Sequence, residues 1–328
     1  MHSFESLRAY LPSTLDRTDF THLGKKLEGK VRDVYVQEDK RILIATDRQS
    51  AFDVQWCTIP LKGQVLNQVS AWWFHQVEDV MPNHVVSVPD PNVTVVKNLQ
   101  MLPMEIVVRG YITGSTNTSA WVNYEKGMRT MCGNQLPDGL RKHEKLKNPI
   151  LTPTTKAEED ELISPEQILK RGLATQAQWE EIAYLAFKLF ARGQYLASKR
   201  GLILVDTKYE MGLDEHGGIV LADEVHTPDS SRYWVESTYE ERFASGKDPE
   251  SLDKEFFRLW LREQGYQGGE KKPEVTNDIR LQLAARYIDL YERMTGERFE
   301  LQGVRERGVE ERIRSSLQVY EVPASARI

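Results

Sequence analysis

Residues 201–234 read GLILVDTKYEMGLDEHGGIVLADEVHTPDSSRYW, a hairpin by every local sign. An apolar run enters, Gly217 and Gly218 supply a turn, and a second apolar run leaves. Yet Asp206, Lys208 and Glu210 interrupt the first run at every second position, and Asp223 and Glu224 interrupt the second. Strand side chains alternate faces, so Asp206, Lys208 and Glu210 point one way and Val205, Thr207 and Tyr209 the other. With the turn centred near Glu215 and His216, Lys208 lies opposite Asp223, and Asp223 shares a face with Asp206 and Glu210. Diagonal neighbours across such a pair are roughly 7–8 Å apart. Two carboxylates so placed reach one cation, and Mg2+ suits them because it takes few protein ligands and keeps positions for water and phosphate. A face turned to water is the alternative, since antiparallel sheets commonly solvate one side. The sequel favours a site. Pro228 ends the strand pattern, and Asp229, Ser230, Ser231 and Arg232 bring hydroxyls and a guanidinium beside the acids, groups that suit a phosphate.

The chain around this hairpin is long enough for one large domain or two ordinary ones. Residues 26–54 suggest two strands about the turn Gln37–Lys40. Residues 64–80 have helical spacing, with Val65, Val69, Trp72, Trp73 and Val77 on one side. PNVTVVKNL and MEIVVRGYI are strands by β-branched content. After Gly114 the pattern predicts a short helix starting within Ser115–Thr118, then a long polar loop over 133–164, then a strong helix capped by Thr175 with Gln178. The tail is helical, with a loop at GYQGGEKKP and a last helical piece near 303–317. The fold class is α+β: an antiparallel sheet domain over residues 1–112, then a larger mixed domain over 113–328, with the ligand cleft expected between them.

Composition removes several functions. With 40% apolar and 28% charged residues the chain is globular. Its net charge of −6, with no basic block, argues against nucleic acid. No run approaches a membrane span, and no basic-then-apolar leader opens the chain. Two cysteines in 328 residues make no disulfide framework and suit a reducing cytosol. Any anionic ligand must therefore meet local positive groups. Lys30 and Arg32 follow Gly29 on one strand pattern, without the Gly-x-x-x-x-Gly-Lys-Ser/Thr of a P-loop; surface charges are the alternative. Arg109 ends a strand before Gly110, Gly114 and a helix start, an arrangement that fits an anion or an ordinary cap. Asp47, Arg48, Ser50 and Asp53 cluster after a strand, and Lys156 sits in the long loop. No histidine pair has metal-ligand spacing, and no serine sits in a nucleophile elbow.

Six stretches in order, GKVRDVY, DRQSAFD, VVRGYITGS, TPTTKAE, GLILVDTKYEMGLDE and DEVHTPDSSRYW, resemble the motifs of the SAICAR synthetase (phosphoribosylaminoimidazole-succinocarboxamide synthase) family. The resemblance implies a ligase of purine biosynthesis that joins L-aspartate to the carboxylate of CAIR, an imidazole ribonucleotide, and splits ATP to ADP and phosphate. It implies an N-terminal sheet like a kinase N-lobe and ATP between the domains. It places Lys30, Arg32 and Lys156 with ATP, and Glu210 and Asp223 on Mg2+. Arg109, Ser115, Ser231 and Arg232 fall to the ribonucleotide, chiefly its phosphate. Asp53, Asp206 and Lys208 come near the carboxylate and ribose, with Lys208 and Asp206 as the catalytic pair. One departure stands out: the family's Gly-His-Asp after TPTTKAE is replaced here by EEDELIS, without histidine. The expected partners are small molecules, with oligomeric state open. A small-molecule kinase or a nucleotide-binding module without chemistry is the rival reading.

Overall fold

A computed structural model describes residues 3–156, 160–266, 269, 272–301 and 308–322. The architecture is α+β, as expected, with antiparallel sheets throughout. The chain divides into two compact units. One takes the chain up to Trp72, His84–Asn98 and everything from Phe256 on; the other takes Trp73–Asn83 and Leu99–Glu255. This differs from the linear division at residue 112. The tail helices return to the N-terminal sheet, whose apolar face needs a cover: Ile313 and Leu317 are buried with Phe20, Tyr35, Ile42 and Val93. Such a return leaves no mark in local sequence.

The first unit's strands are β1 (Lys25–Glu28), β2 (Arg32–Val36), β3 (Lys40–Ala45), β4 (Arg48–Ala51), β5 (Val54–Thr58), β6 (Val85–Asp90) and β7 (Val93–Lys97). Five form one sheet in the order β1-β2-β3-β7-β6, and β4 pairs with β5 alone. Where two strands were expected there are therefore four. The backbone N–H of Gly29 bonds to the carbonyl of Arg32 at 2.8 Å and closes a turn after β1. Lys30 lies in that turn and Arg32 opens β2, so the two do not share a strand face. Asp53 lies in the turn of the β4–β5 hairpin, where Phe52 and Asp53 have φ of 51° and 58°. Two left-handed residues in a two-residue turn match the twist of the strands they join.

The second unit is built on β14 (Leu202–Leu213), a twelve-residue strand. Before it come β8 (Gln100–Met101), β9 (Met104–Ile112), β10 (Thr130–Met131), β11 (Asn134–Gln135), β12 (Glu144–Leu151) and β13 (Thr154–Thr155); after it come β15 (Ile219–Ala222) and β16 (Ser231–Val235). The sheet runs β12-β9-β14-β15, with β13 on β9 and both β8 and β16 on β14. The predicted loop over 133–164 thus contains strands. β12 reads as loop because it is polar and carries Pro149, and an edge strand tolerates both. The short helix also starts later than expected, at Ala120. Residues 113–119 are loop, and Ser115 is no helix N-terminus. The helix Gln176–Ser198 has its expected capping box at Thr175 and Gln178 and buries Trp179, Ile182, Ala186, Leu189 and Phe190. It passes so close to the sheet that a Cβ on Gly193 would sit 2.4 Å from the His226 ring and 2.5 Å from Leu204.

Candidate active site

The charged face of β14 is buried and paired. Asp206 stands opposite Arg109 of β9 on one side and opposite Arg232 of β16 on the other. Three strands therefore present Arg, Asp, Arg in one row. The Asp206 carboxylate lies 2.7 Å from Nη1 of Arg232 and 3.7 Å from Nη1 of Arg109. Arg232 also reaches Glu255 at 3.2 Å, while its Nε is buried with no partner among the described residues. Arg109 is held by Thr152 Oγ1 at 2.7 Å and by the Thr118 carbonyl at 3.0 Å. Burial opposes both charges. For Arg232 the carboxylates of Asp206, Glu255 and Asp253 outweigh burial and hold the guanidinium well above its ordinary value. For Arg109 burial wins: Asp206 supports the charge, Arg232 repels it, and its value falls to about 10. Both remain cations at neutral pH, fixed in a dry place before any ligand arrives.

Ser115 joins this row through the loop 113–119. Gly114, at φ 103°, lies so tight that a Cβ there would be 3.0 Å from Nη2 of Arg232. Gly114 beside Arg232 and Thr118 on Arg109 bring the loop that carries Ser115 to this row. Ser231 is not. Its hydroxyl pairs with that of Thr207 at 2.7 Å, on the face that alternation places opposite Arg232 and Asp206.

Two positions along β14, Lys208 Nζ lies 2.7 Å from Glu210, 3.0 Å from Glu105 and 4.0 Å from Asp223. Burial works against the ammonium, but Glu210, Asp223 and Glu105 outweigh it, and Lys208 stays charged well above its ordinary range. Lys156 pairs with the other oxygen of Glu210. Asp223 reaches this cluster by a route the sequence did not suggest. The ladder pairs Glu210 with Ala222, one residue out from the expected register, and that slip alone would turn Asp223 to the other face. Asp223 instead leaves the ladder in the left-handed region, at φ 63°, and its carboxylate comes back to Lys208. A non-glycine residue held there signals a site that requires it. Glu210 and Asp223 converge on one ammonium, so this donor set fits a cation shared by two carboxylates, the few-ligand mode of Mg2+. Among the described residues, no three His, Cys, Asp or Glu side chains form a metal cage.

The sequence reading missed Glu105, Asp253 and Glu255. Glu105 was legible, two and four residues before Val107 and Arg109 on one face of β9. Asp253 and Glu255 lie in the SLDKE stretch, with no strand periodicity to flag them. Asp253 accepts from the backbone N–H groups of Glu255 and Tyr233 at 2.7 and 2.8 Å; burial nevertheless pushes it up to about 7.

In the first unit Lys30 pairs with Asp53, turn to turn, and both are exposed. Arg48 holds this geometry from beneath. It bonds the Gly29 carbonyl at 2.9 Å and the buried Asp33 carboxylate at 2.8 Å. Arg32 starts β2 beside them, half-buried.

The SAICAR synthetase family model matches residues 25–274. The chain belongs to the SAICAR synthetase family. A phosphoribosylaminoimidazole-succinocarboxamide synthase from Legionella pneumophila (strain Paris) is 52% identical over 292 residues, covering 88% of this chain and 93% of that protein. Among solved structures, the SAICAR synthase from Saccharomyces cerevisiae complexed with SAICAR is 34% identical with a TM-score of 0.76, covering 88% of this chain and all of that one. A type-2 SAICAR synthetase in complex with ADP is 28% identical with a TM-score of 0.66, covering 84% of this chain and all of that one. Four of the six stretches carry residues of the Arg–Asp–Arg row and the Lys208 cluster, and the other two, GKVRDVY and DRQSAFD, carry Lys30, Arg32, Arg48 and Asp53 of the first unit. The family's Gly-His-Asp position falls at or beside residues 157–159, which lie outside the described residues.

Proposed function

We propose that the chain joins L-aspartate to the carboxylate of CAIR with ATP, as its family does in purine biosynthesis, and that it does so through an acyl phosphate. The observation that carries this reading is the double charge pattern of β14. One end holds a phosphate-sized row of fixed guanidiniums, and the other holds carboxylates and an ammonium suited to a metal-bound phosphoryl group.

A carboxylate resists amine attack because it is anionic and offers no leaving group. Transfer of the γ-phosphoryl group to one carboxylate oxygen forms a new P–O bond and releases ADP. The aspartate amine then attacks the acyl carbon, the C–N bond forms, and phosphate departs with that oxygen. Arg109, Ser115 and Arg232 would hold the ribonucleotide phosphate, for which the unpartnered Nε of Arg232 is a ready donor. Lys208 stays charged and would neutralise the carboxylate being phosphorylated and the phosphate that leaves. Glu210 and Asp223 would hold Mg2+, which supplies charge neutralisation for the ATP phosphates. Lys30, Arg32 and Lys156 would face those phosphates, and Asp53 the substrate carboxylate or ribose. Asp206 is engaged by both guanidiniums, and its surroundings support a role in holding them better than one as acceptor of the amine proton. Neither cysteine competes as an acyl carrier, because burial pushes both thiols up to about 11. Two unpaired cysteines also fit a cytoplasmic home.

The test is ADP release from ATP and ribonucleotide, with and without aspartate. The ligase requires aspartate for sustained release and yields an amide. ADP with a phosphorylated product and no need for aspartate would identify a kinase; nucleotide binding without ADP would identify a binding module.

A further inference from the structure

Thr113 follows β9 and opens the loop 113–119, which Arg109 holds at Thr118 and which packs Gly114 on Arg232. From the far side the same residue is held by a second chain of polar groups. The Thr113 hydroxyl lies 2.8 Å from Nδ1 of His143. The other ring nitrogen, Nε2, lies 2.7 Å from an oxygen of Asp248, which Lys142 also contacts at 2.8 Å. The backbone is tied as well, with the N–H of His143 bonded to the Ile112 carbonyl at 2.7 Å.

Nothing about this arrangement is left loose. His143 has φ 71°, a left-handed conformation that a side chain adopts at a cost. Its ring stands edge-on to Trp234 with centroids 5.5 Å apart, and its carbonyl accepts from the Tyr239 hydroxyl at 2.9 Å. Thr113 is 3% exposed. The hydrogen bond from His143, with Lys142 beside it, holds the Asp248 carboxyl well below the usual carboxylate range against the opposing effect of burial. An ionised Asp248 accepts from Nε2–H, which turns Nδ1 to the Thr113 hydroxyl. A strand end needs a partner for its last carbonyl, and the His143 N–H supplies that alone. The ring and its carboxylate add a constraint on Thr113 that capping does not require.

Resting on the proposed function, we propose that His143 and Asp248 are positioning residues for the ribonucleotide phosphate. They fix Thr113 from behind, and Thr113 opens the loop that carries Ser115 and meets Arg109 at Thr118 and Arg232 at Gly114. Neither touches the ligand. Their effect is to have the phosphate site built before binding, so that affinity is not spent on ordering the loop.

The test compares Thr113→Val, Thr113→Ser, His143→Phe and the double variant Thr113→Val/His143→Phe. Phenylalanine keeps a ring against Trp234 and removes both nitrogens. KM for the ribonucleotide, KM for ATP, kcat and the thermal midpoint are measured. Calorimetry without ATP gives the dissociation constant of the ribonucleotide. A neutral hydrogen bond lost behind the loop predicts that Thr113→Val and His143→Phe each raise that constant and the ribonucleotide KM about three- to tenfold. KM for ATP and kcat stay within about twofold, the change one rotamer-scale loss allows. Thr113→Ser restores wild-type binding, and the double variant loses no more than either single, because one bond carries both effects. Ribonucleotide binding unchanged in His143→Phe, losses that add in the double variant, or an equal rise in KM for ATP would each overturn the inference. Should Thr113→Val not fold, His143→Phe and Thr113→Ser decide. A wild-type protein that binds no ribonucleotide overturns the functional reading, and this inference with it.

Discussion

The two units carry their candidate ligand-binding charges in opposite ways. In the second, Asp206 and Arg109 side chains are 5% and 6% exposed and locked in a row with Arg232. In the first, Lys30 and Asp53 are 61% and 81% exposed and pair with each other. A buried row cannot exchange partners without leaving a charge stranded, and breaking such a pair costs about 3–5 kcal/mol. An exposed pair is worth about 0–1 kcal/mol and exchanges freely with a ligand or with water. On the proposed function, the second unit would serve as a preformed receptor for a small anion and for phosphoryl chemistry. The first offers charges that cost little to redirect, which on the same proposal would suit the flexible triphosphate of a nucleotide.

The largest expected effect breaks the second unit's cluster. Lys208→Met leaves Glu105, Glu210 and Asp223 facing one another and removes a fixed cation, so kcat should fall about 10²–10³-fold in steady-state assays. Glu210→Gln and Asp223→Asn should each raise the Mg2+ concentration needed for half the maximal rate. Unchanged rate and Mg2+ dependence in both would remove the metal assignment. Next comes the phosphate row. Arg232→Met loses charge-assisted bonds worth roughly 1.5–3 kcal/mol, so KM for the ribonucleotide should rise about tenfold or more while that for ATP barely moves. A rise in the ATP value instead would assign Arg232 to the nucleotide.

How much of this the sequence displayed also divides along the same line. Asp206, Lys208 and Glu210 shared a face by strict strand alternation, whereas Arg109 and Arg232 were grouped by the family resemblance, and their row with Asp206 emerges only when β9 and β16 flank β14. Asp223 was assigned to the correct cluster through an incorrect register, since nothing local announces that it leaves the ladder at positive φ. Ser231 was misplaced because a run of two serines and an arginine does not say which of them faces inward until β16 is seen as a strand. In the first unit, Lys30 and Arg32 looked like one face because Gly29 was read as strand rather than as a turn. The return of Ile313 and Leu317 to the N-terminal sheet was invisible, as contacts across some 270 residues of chain leave no periodicity.

Two buried groups, one in each unit, respond to pH in opposite directions, a smaller effect. In the second, burial lowers His226 to about 3, and its Nε2 lies 2.5 Å from the Tyr209 hydroxyl. Its folded value lies below the ordinary 6.5, so the stability it contributes is present above that pH and is lost as pH falls toward 3. In the first, burial raises Asp47 to about 6 despite N–H bonds from Gly63 and Leu15. That contribution is present below the ordinary 3.8 and is lost as pH rises through 6. Denaturation midpoints should show wild type losing ground to His226→Phe between pH 7 and 4. Against Asp47→Asn it should lose ground in the other direction, from pH 4 to 7. Parallel slopes would break the comparison.

The smallest effect is on the exposed pair. Lys30→Met should change the unfolding free energy by no more than about 0.5 kcal/mol, yet raise KM for ATP severalfold. A large loss of stability with an unchanged ATP value would reverse the roles given to the two units.

The central claim is that the charged face of β14 serves transfer of a phosphoryl group to the substrate carboxylate. Oxygen-18 decides it. The ribonucleotide is prepared with labelled carboxylate oxygens and converted with unlabelled ATP and aspartate, and the inorganic phosphate is weighed by mass spectrometry. The acyl-phosphate path puts one labelled oxygen into each phosphate released. Phosphate free of label would mean that water took the phosphoryl group, and the account would be wrong.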